Sequence, residues 1–364
     1  MNWRKKSKND WGRLGLISNS WQKKTLSDFI YFKNGKKRPS ITGDIPVYGG
    51  NGILDYTSES NLENAVIIGR VGAYAGSVYY ESKKLWVSDN AIAAKAKDSS
   101  NIAFIYYLLK NLRLSERQIG TGQPLLTQNI LNNIEVYLPS LEEQCKIAEI
   151  LTTLDARIFE NKKINHHLVE LARSFWQERF SSKQPNGKLG DIIELFDSKR
   201  VPLSANQREK MDKTYPYYGA TSLMDYVDDY LFDGTYLLLG EDGTVIDKEG
   251  YPILQYVWGK FWVNNHAHIM VGKNGFTVES LFVLLKNTCV SSIVTGAVQL
   301  KINQANLKSV DVYIPQKEEL DNFNSTIEPI FDQLRNLYDE IKSLTTLRDA
   351  LLPKLMSGEI SVAD

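Results

Sequence analysis

Two stretches of the chain place apolar residues in alternating steps of four and three. The first runs Ile147, Leu151, Leu154, Ile158, Asn161, Asn165, Leu168, Ala172, Phe175. The second runs Leu320, Phe323, Ile327, Ile330, Leu334, Leu337, Ile341, Leu344, Arg348, Leu351, Leu355. A mean step of 3.5 is that of a coiled-coil seam. Each stretch therefore predicts a helix of about 40 residues, roughly 60 Å long. Ser140 and Glu143 have capping-box spacing at the first start, each able to satisfy an orphan amide. Pro329 predicts a kink near the start of the second helix and Gly358 its end. Asn161 and Asn165 fall in mid-seam. They either lie buried, costing stability while fixing register, or face solvent at an imperfection.

The remaining chain shows short strand-like runs, such as Ala65–Ile68 and Tyr236–Leu239, between Gly and Asn turns. Short helices are predicted over Ile102–Leu114, after Ser99 and Ser100, and over Val278–Lys286, after Thr277. These segments repeat. Val136-Tyr137-Leu138-Pro139 returns as Val312-Tyr313-Ile314-Pro315, and Leu108-Leu109-Lys110-Asn111 as Leu284-Leu285-Lys286-Asn287. Trp86-Val87 returns as Trp262-Val263, Tyr48-Gly49 as Tyr218-Gly219, and Leu26-Ser27-Asp28 as Leu189-Gly190-Asp191. The same order at a drifting offset means duplication of one domain-sized unit followed by loop insertion. The expected fold class is mixed α/β (α+β). Its order is a basic arm (1–20), a first mixed domain (21–139), a central helix (140–183), a second mixed domain (184–315), a distal helix (316–357) and a tail (358–364). Paired seam to seam, the helices must run antiparallel, which predicts two heads held apart by a two-helix rod.

Composition narrows the chemistry. With 364 residues, 43% hydrophobic and 24% charged, the chain is an ordinary globular protein of two or three domains. Two cysteines, Cys145 and Cys289, exclude a disulfide framework and a thiolate-rich zinc site. No apolar run approaches a membrane span, and the basic N-terminus lacks a signal's apolar region, so the expected setting is cytoplasmic. No phosphate-binding G-x-x-x-x-G-K-[ST] is present, nor an Asn/Asp-Pro-Pro-aromatic motif for amino-group methylation. Glu81-Ser82-Lys83 has the E-x-K form of nucleases but no partner motif. His166-His167 and the pair His266, His268 lack ligand partners at metal spacing. Enzymatic activity and bound cofactors are therefore not expected of this chain.

Net charge is zero, but Met1 to Ser40 holds 11 Lys and Arg against two acids. The basic turn Lys36-Lys37-Arg38 suits phosphate contact or is simply solvated; Lys199-Arg200 is its counterpart. Aromatics and amides gather at glycine turns, at Tyr48, Asn51, Tyr218 and Thr221. Arg70, Gln123 and Gln128 in the first copy, and Lys260, Asn264, Gln299 and Lys301 in the second, have the chemistry to read base edges. Residues 210–250 hold 9 acids against 3 bases, so the second copy is not expected to bind DNA through that stretch.

These features together resemble a known family. Pro139-Ser140-Leu141-Glu142-Glu143-Gln144 leading into Lys146-Ile147-Ala148-Glu149-Ile150-Leu151, and Leu351-Leu352-Pro353-Lys354-Leu355-Met356-Ser357-Gly358-Glu359-Ile360, are similar to the central and distal helices of type I restriction–modification specificity subunits. Tyr48-Gly49-x-Asn51-Gly52, Gly69-Arg70-x-Gly72 and Thr121-Gly122-Gln123-Pro124-Leu125 look like words of their target recognition domains. The resemblance implies a non-catalytic subunit in which each recognition domain reads half of a bipartite duplex target. It implies helices, carrying Ile147, Leu151, Leu154, Ile158, Leu168, Phe175, Leu334, Leu337, Ile341, Leu344, Leu351 and Leu355, that set half-site spacing and dock two modification subunits. S-adenosylmethionine, ATP and magnesium would belong to those and to the restriction subunits. A two-headed structural adaptor that bridges proteins is the alternative.

Overall fold

The computed structural model describes residues 21–98, 100–119, 124–296 and 299–362. The basic arm 1–20 and Gln123 lie outside the described residues. The chain divides into two units, residues 1–160 with 340–364, and residues 161–339. Both long helices pass from one unit into the other.

The first unit opens with β1 (Gln22–Thr25), the capped turn α1 (Leu26–Phe29) and β2 (Ile30–Asn34). Then come β3 (Ile45–Gly49), β4 (Gly52–Thr57), β5 (Leu62–Gly69), β6 (Val78–Val87) and β7 (Ala91–Ala96). The short helices α2 (Ile102–Asn111) and α3 (Gln128–Asn132) and strand β8 (Glu135–Leu138) lead into the long α4 (Leu141–Phe180). Strands β2-β7-β5-β6-β3-β4 form one six-stranded sheet in that order, antiparallel except for β3 beside β6. β1 and β8 pair separately. Val66, Ile68, Ile92 and Ala94 lie in one core with Phe104 and Leu108 of α2. Helix α2 is capped by Asn101, whose Oδ1 accepts from the Phe104 amide at 3.0 Å. An Asx side chain directly before the first turn reaches that amide; Ser99 lies outside the described residues.

The second unit repeats the plan. Its elements are β9 (Gly187–Lys188), α5 (Leu189–Ile192), β10 (Ile193–Leu195), α6 (Ala205–Glu209), β11 (Tyr215–Tyr218), β12 (Leu223–Val227), β13 (Phe232–Asp233) and β14 (Tyr236–Gly240). They continue with β15 (Leu254–Val257), β16 (Lys260–Val263), β17 (Ala267–Gly272), α7 (Val278–Lys286), α8 (Gln304–Lys308), β18 (Asp311–Val312) and the long α9 (Lys317–Ser357). Here the sheet is split in two, β10-β17-β14-β15 and β12-β11-β16-β13. The parallel pair recurs, Tyr217 opposite Trp262 as Val47 is opposite Trp86. The turn after the first strand recurs too: Asp28 accepts from the Thr25 amide at 2.7 Å and Asp191 from the Lys188 amide at 2.9 Å.

Within each unit the long helices pack antiparallel. In the first, Ile147 and Leu151 share a core with Leu355 and Met356, and Asp155 accepts from Arg348 at 2.6 Å. In the second, Trp176 meets Phe323 edge-on at 5.1 Å, and Arg179 reaches Thr326. Ser140 and Glu143 form the expected capping box, at 3.1 and 3.3 Å. Helix α9 runs unbroken through Pro329. Proline removes one backbone hydrogen bond, but Ile327 and Phe331 on either side are buried in the same core and hold the helix. Asn161 and Asn165 are buried, and neither oxygen nor nitrogen of either amide has a hydrogen-bond partner.

Candidate nucleic-acid interface

Glycine turns that are far apart in sequence meet at one end of each sheet. In the first unit the segment 87–91 is the meeting point. Lys36 donates its amide to Val87 O at 2.9 Å, Ser88 its amide to Tyr48 O at 2.8 Å, and Arg70 its amide to Asn90 O at 3.0 Å. The loop 124–126 closes over them, with Gly72 N donating to Pro124 O at 3.0 Å and Leu126 N to Arg70 O at 2.9 Å. Glycine is required at position 69 by close approach: a Cβ there would lie 2.1 Å from Tyr74 O. Gly72, at φ +75°, occupies backbone that side chains disfavour.

The second unit builds the same knot. Asn264 N donates to Tyr218 O at 3.0 Å, Glu241 N to His266 O at 2.8 Å, Gly243 N to Leu300 O at 2.9 Å and Ile302 N to Glu241 O at 2.9 Å. Gly243 repeats the positive φ, at +88°. Asn90 and Ile92 of the first unit thus stand where His266 and His268 stand in the second, and Arg70 where Glu241 stands.

The side chains on this shared frame differ. In the first unit Lys36, Lys37, Arg38 and Asn51 are exposed, and Arg38 lies 3.4 Å from Asp55 in a solvated pair. Arg70 is half-buried. Tyr48 is almost fully buried, donates to Glu81 at 3.3 Å, and its phenol is pushed up to about 12 by burial and by that carboxylate. Gln128, with its amide oriented to suit its neighbours, donates to Phe32 O at 3.1 Å and accepts from the Asn34 amide at 3.0 Å. It ties α3 to the end of β2 instead of pointing outward.

In the second unit a buried ionic cluster occupies the frame. Arg200 donates to Glu241 at 2.6 Å and to the carbonyls of Asn265 and Ala267; Lys301 lies 3.3 Å from the same carboxylate. Asp197 accepts from His268 at 2.6 Å, from the Ile269 amide at 2.9 Å and from Gln304 at 2.6 Å. The other ring nitrogen of His268 faces Ile302 O at 2.7 Å. Each ring nitrogen of His268 thus faces an oxygen of the cluster. Burial pushes the Asp197 carboxyl up, but the bonds from His268 and Ile269, with Arg200 nearby, outweigh it and hold it below the ordinary range. Glu241 is likewise held low against its burial by Arg200, His268 and Lys301. Asp197, Glu241 and His268 offer ligand-type atoms within 4.8 Å of one another, yet each is already engaged by protein partners.

Of the sequence-derived candidates here, Arg200 and Lys301 have their charges paired inside the unit. Asn264 is buried, with its Oδ1 accepting from the His266 amide at 2.8 Å. Lys199 and Lys260 lie over the rings of Phe196 and Tyr230, at 4.9 and 4.5 Å. Tyr218 packs edge-on to Phe261 at 5.8 Å, and burial pushes its phenol up to about 12. Thr221 and Gln299 are exposed, and Thr221 lines an open cleft of about 360 Å³ with Gly219, Met224, Asp242, Asn264 and His266. Asp242 and His266 were not among the base-reading candidates; in the sequence Glu241-Asp242 stands where the first copy has Arg70-Val71.

On the long helices, Ile147, Leu151, Ile158, Leu334, Leu337 and Leu355 are buried, and Leu154, Leu168, Phe175, Ile341, Leu344 and Leu351 partly so. These side chains are covered within the chain. Exposed apolar side chains stand elsewhere on the same helices, among them Ile150 and Phe159 on α4 and Leu347 on α9. Among the described residues no helix is long and apolar enough to cross a membrane.

Comparison with known proteins agrees with the duplication. The family model described as type I restriction modification DNA specificity domain matches twice, over residues 18–168 and 183–349. The chain is 28% identical over 313 residues to the MjaIX type I restriction enzyme specificity subunit of Methanocaldococcus jannaschii, covering 74% of this chain and 71% of that one. It is 31% identical over 144 residues to a putative type I restriction enzyme specificity subunit of Haemophilus influenzae, covering 39% of this chain and 36% of that one. The crystal structure of a type I restriction-modification S subunit from M. genitalium superposes with a TM-score of 0.60 at 19% identity, covering 96% and 98% of the two chains.

Proposed function

The chain belongs to the type I restriction–modification DNA specificity family, and from that membership we propose that each unit reads one half of a bipartite duplex DNA target. The supporting observation is the repeated loop knot: equivalent backbone hydrogen bonds hold 48–126 and 218–302, while the side chains presented differ. A common frame with different side chains is what two separate half-sites require, because base edges are distinguished by donor and acceptor pattern.

The long helices set the distance between half-sites. With the seam covered, the outer faces carrying Ile150, Phe159 and Leu347 are where two modification subunits dock. Those subunits bring S-adenosylmethionine and methylate adenine; restriction subunits bring ATP-driven motion and cleavage, in a cytoplasmic complex. The chain itself performs neither reaction. In the first unit, Lys36, Lys37 and Arg38 meet phosphates and Arg70 reaches toward a base. Phosphate contacts fix register, whereas base contacts carry sequence information.

Competition binding tests this reading against the adaptor alternative. The chain assembled with its modification subunits should prefer one bipartite sequence over scrambled duplex by a factor of a thousand or more, on the order of other specific binders. Equal affinity for all duplexes would favour the adaptor.

A further inference from the structure

We propose that Asp242 is a base-reading residue of the second unit, whose free carboxylate oxygen accepts a hydrogen bond from the exocyclic amine of adenine or cytosine. This rests on the reading that the second unit binds a half-site. Asp242 lines the 360 Å³ cleft at the loop knot. Its Oδ1 lies 2.7 Å from His266 Nδ1. A carboxylate oxygen only accepts, so Nδ1 carries the proton and the pair clamps the carboxylate in place. Oδ2 has no hydrogen-bond partner among the described residues.

The neighbouring carboxylates are not available for this task. Glu241 is taken up by Arg200 and Lys301, and Asp197 by His268, Ile269 and Gln304. The cleft therefore presents one oriented acceptor, backed by a cluster whose acids are paired with cations. That pairing limits repulsion of the DNA backbone. Major-groove edges offer such an acceptor two partners, the N6 amine of adenine and the N4 amine of cytosine. In the first unit Val71 and Asn90 hold the matching positions, and Arg70 supplies a donor suited to guanine instead. The two units thus read with opposite hydrogen-bonding sense.

The test uses the chain assembled with its modification subunits, after methylome sequencing has defined the target. In the half-site assigned to the second unit, each adenine (other than the methylated one) is replaced in turn by purine, and each cytosine by 2-pyrimidinone. Both analogues lack the amine, and the same replacements in the spacer serve as controls. One position should lose roughly tenfold or more in affinity, in line with a single base contact; whether a purine or a pyrimidinone does so tells adenine from cytosine. Asp242→Ala, which removes the acceptor, should abolish that penalty and leave the other positions unchanged. His266→Gln, which removes the clamp, should weaken the same discrimination alone. Indifference of the unmodified complex to every amine would overturn the assignment while leaving the bipartite reading intact. So would a uniform loss in Asp242→Ala with the penalty retained. A complex with no bipartite preference at all would instead defeat the reading on which the assignment rests.

Discussion

Arg70 and Glu241 are held by the same pair of backbone hydrogen bonds, each in its own unit. Each donates its amide to the carbonyl of the residue immediately before the last strand of the knot, at 3.0 and 2.8 Å, and each accepts on its own carbonyl from the closing loop at 2.9 Å. The frame is duplicated and the charge is reversed. In the second unit Glu241 is neutralised locally by Arg200 and Lys301, whereas the Arg70 side chain has no carboxylate partner among the described residues. The first unit therefore offers a cation at the point where the second offers a closed ion cluster.

Arg70→Ala should weaken binding of the assembled complex to its own target. If the guanidinium meets a guanine edge, the loss is about 1–3 kcal/mol and discrimination relaxes at one position. If it meets only phosphate, affinity falls similarly on all sequences and the salt slope drops by about one. Titrations at several salt concentrations, on target and scrambled duplex, separate the two; unchanged binding would make Arg70 a solvated turn residue.

Much of this architecture was legible in the chain, for identifiable reasons. The long helices announce themselves because their seams are buried over many turns. The duplication shows because Leu108 and Leu284, or Val136 and Val312, fill equivalent core positions. The ionic cluster was not legible: Asp197, Glu241 and His268 are brought together by strand pairing, and nothing in their spacing marks it. Gln128 has the chemistry to read a base edge, but its amide instead fastens the start of α3 to the end of β2, at Phe32 and Asn34. The helix continues through Pro329, with Ile327 and Phe331 buried on either side of it, a tertiary effect that local propensity does not contain.

Acid should unfold the second unit through this cluster. Asp197 and Glu241 are held below their ordinary values of 3.8 and 4.5. A depressed carboxyl contributes stability that is complete above its unfolded pKa and lost as pH falls through the folded one. The contribution of these two carboxyls should therefore be flat from pH 7 to about 5 and decline below about 4. Asp197→Asn should cost about 3–5 kcal/mol near neutrality, since it leaves His268 and Arg200 with less compensation. Thermal melts across pH check both; a variant as stable as the parent at pH 7 would show the cluster to be energetically idle.

Asn161→Leu should stabilise the isolated chain. Both amide atoms of Asn161 are buried without partners, and such groups cost about 1–3 kcal/mol. The urea midpoint should rise accordingly. Specificity of register should fall in exchange, seen as a more variable spacer in methylated sites. A lower midpoint would mean that the amide fits its surroundings better than leucine does.

Inserting one heptad into each long helix, after Asn161 and near Leu337, keeps both seams in phase. Seven residues add about 10 Å. At about 3.4 Å per base pair the nonspecific spacer should lengthen by roughly three, or two to four if the duplex bends. Half-site sequences should stay as they were. An unchanged spacer with intact methylation would show that the helices do not measure the site.

The central claim is one half-site per unit, and exchange of one unit addresses it most directly. Residues 187–315 are replaced by the corresponding segment of another member of the family, the chimera is assembled with the same partner subunits, and methylated sites are mapped across a genome. One half of the target should change to that of the donor while the other half keeps its sequence. A change in both halves, or in neither, would contradict the account.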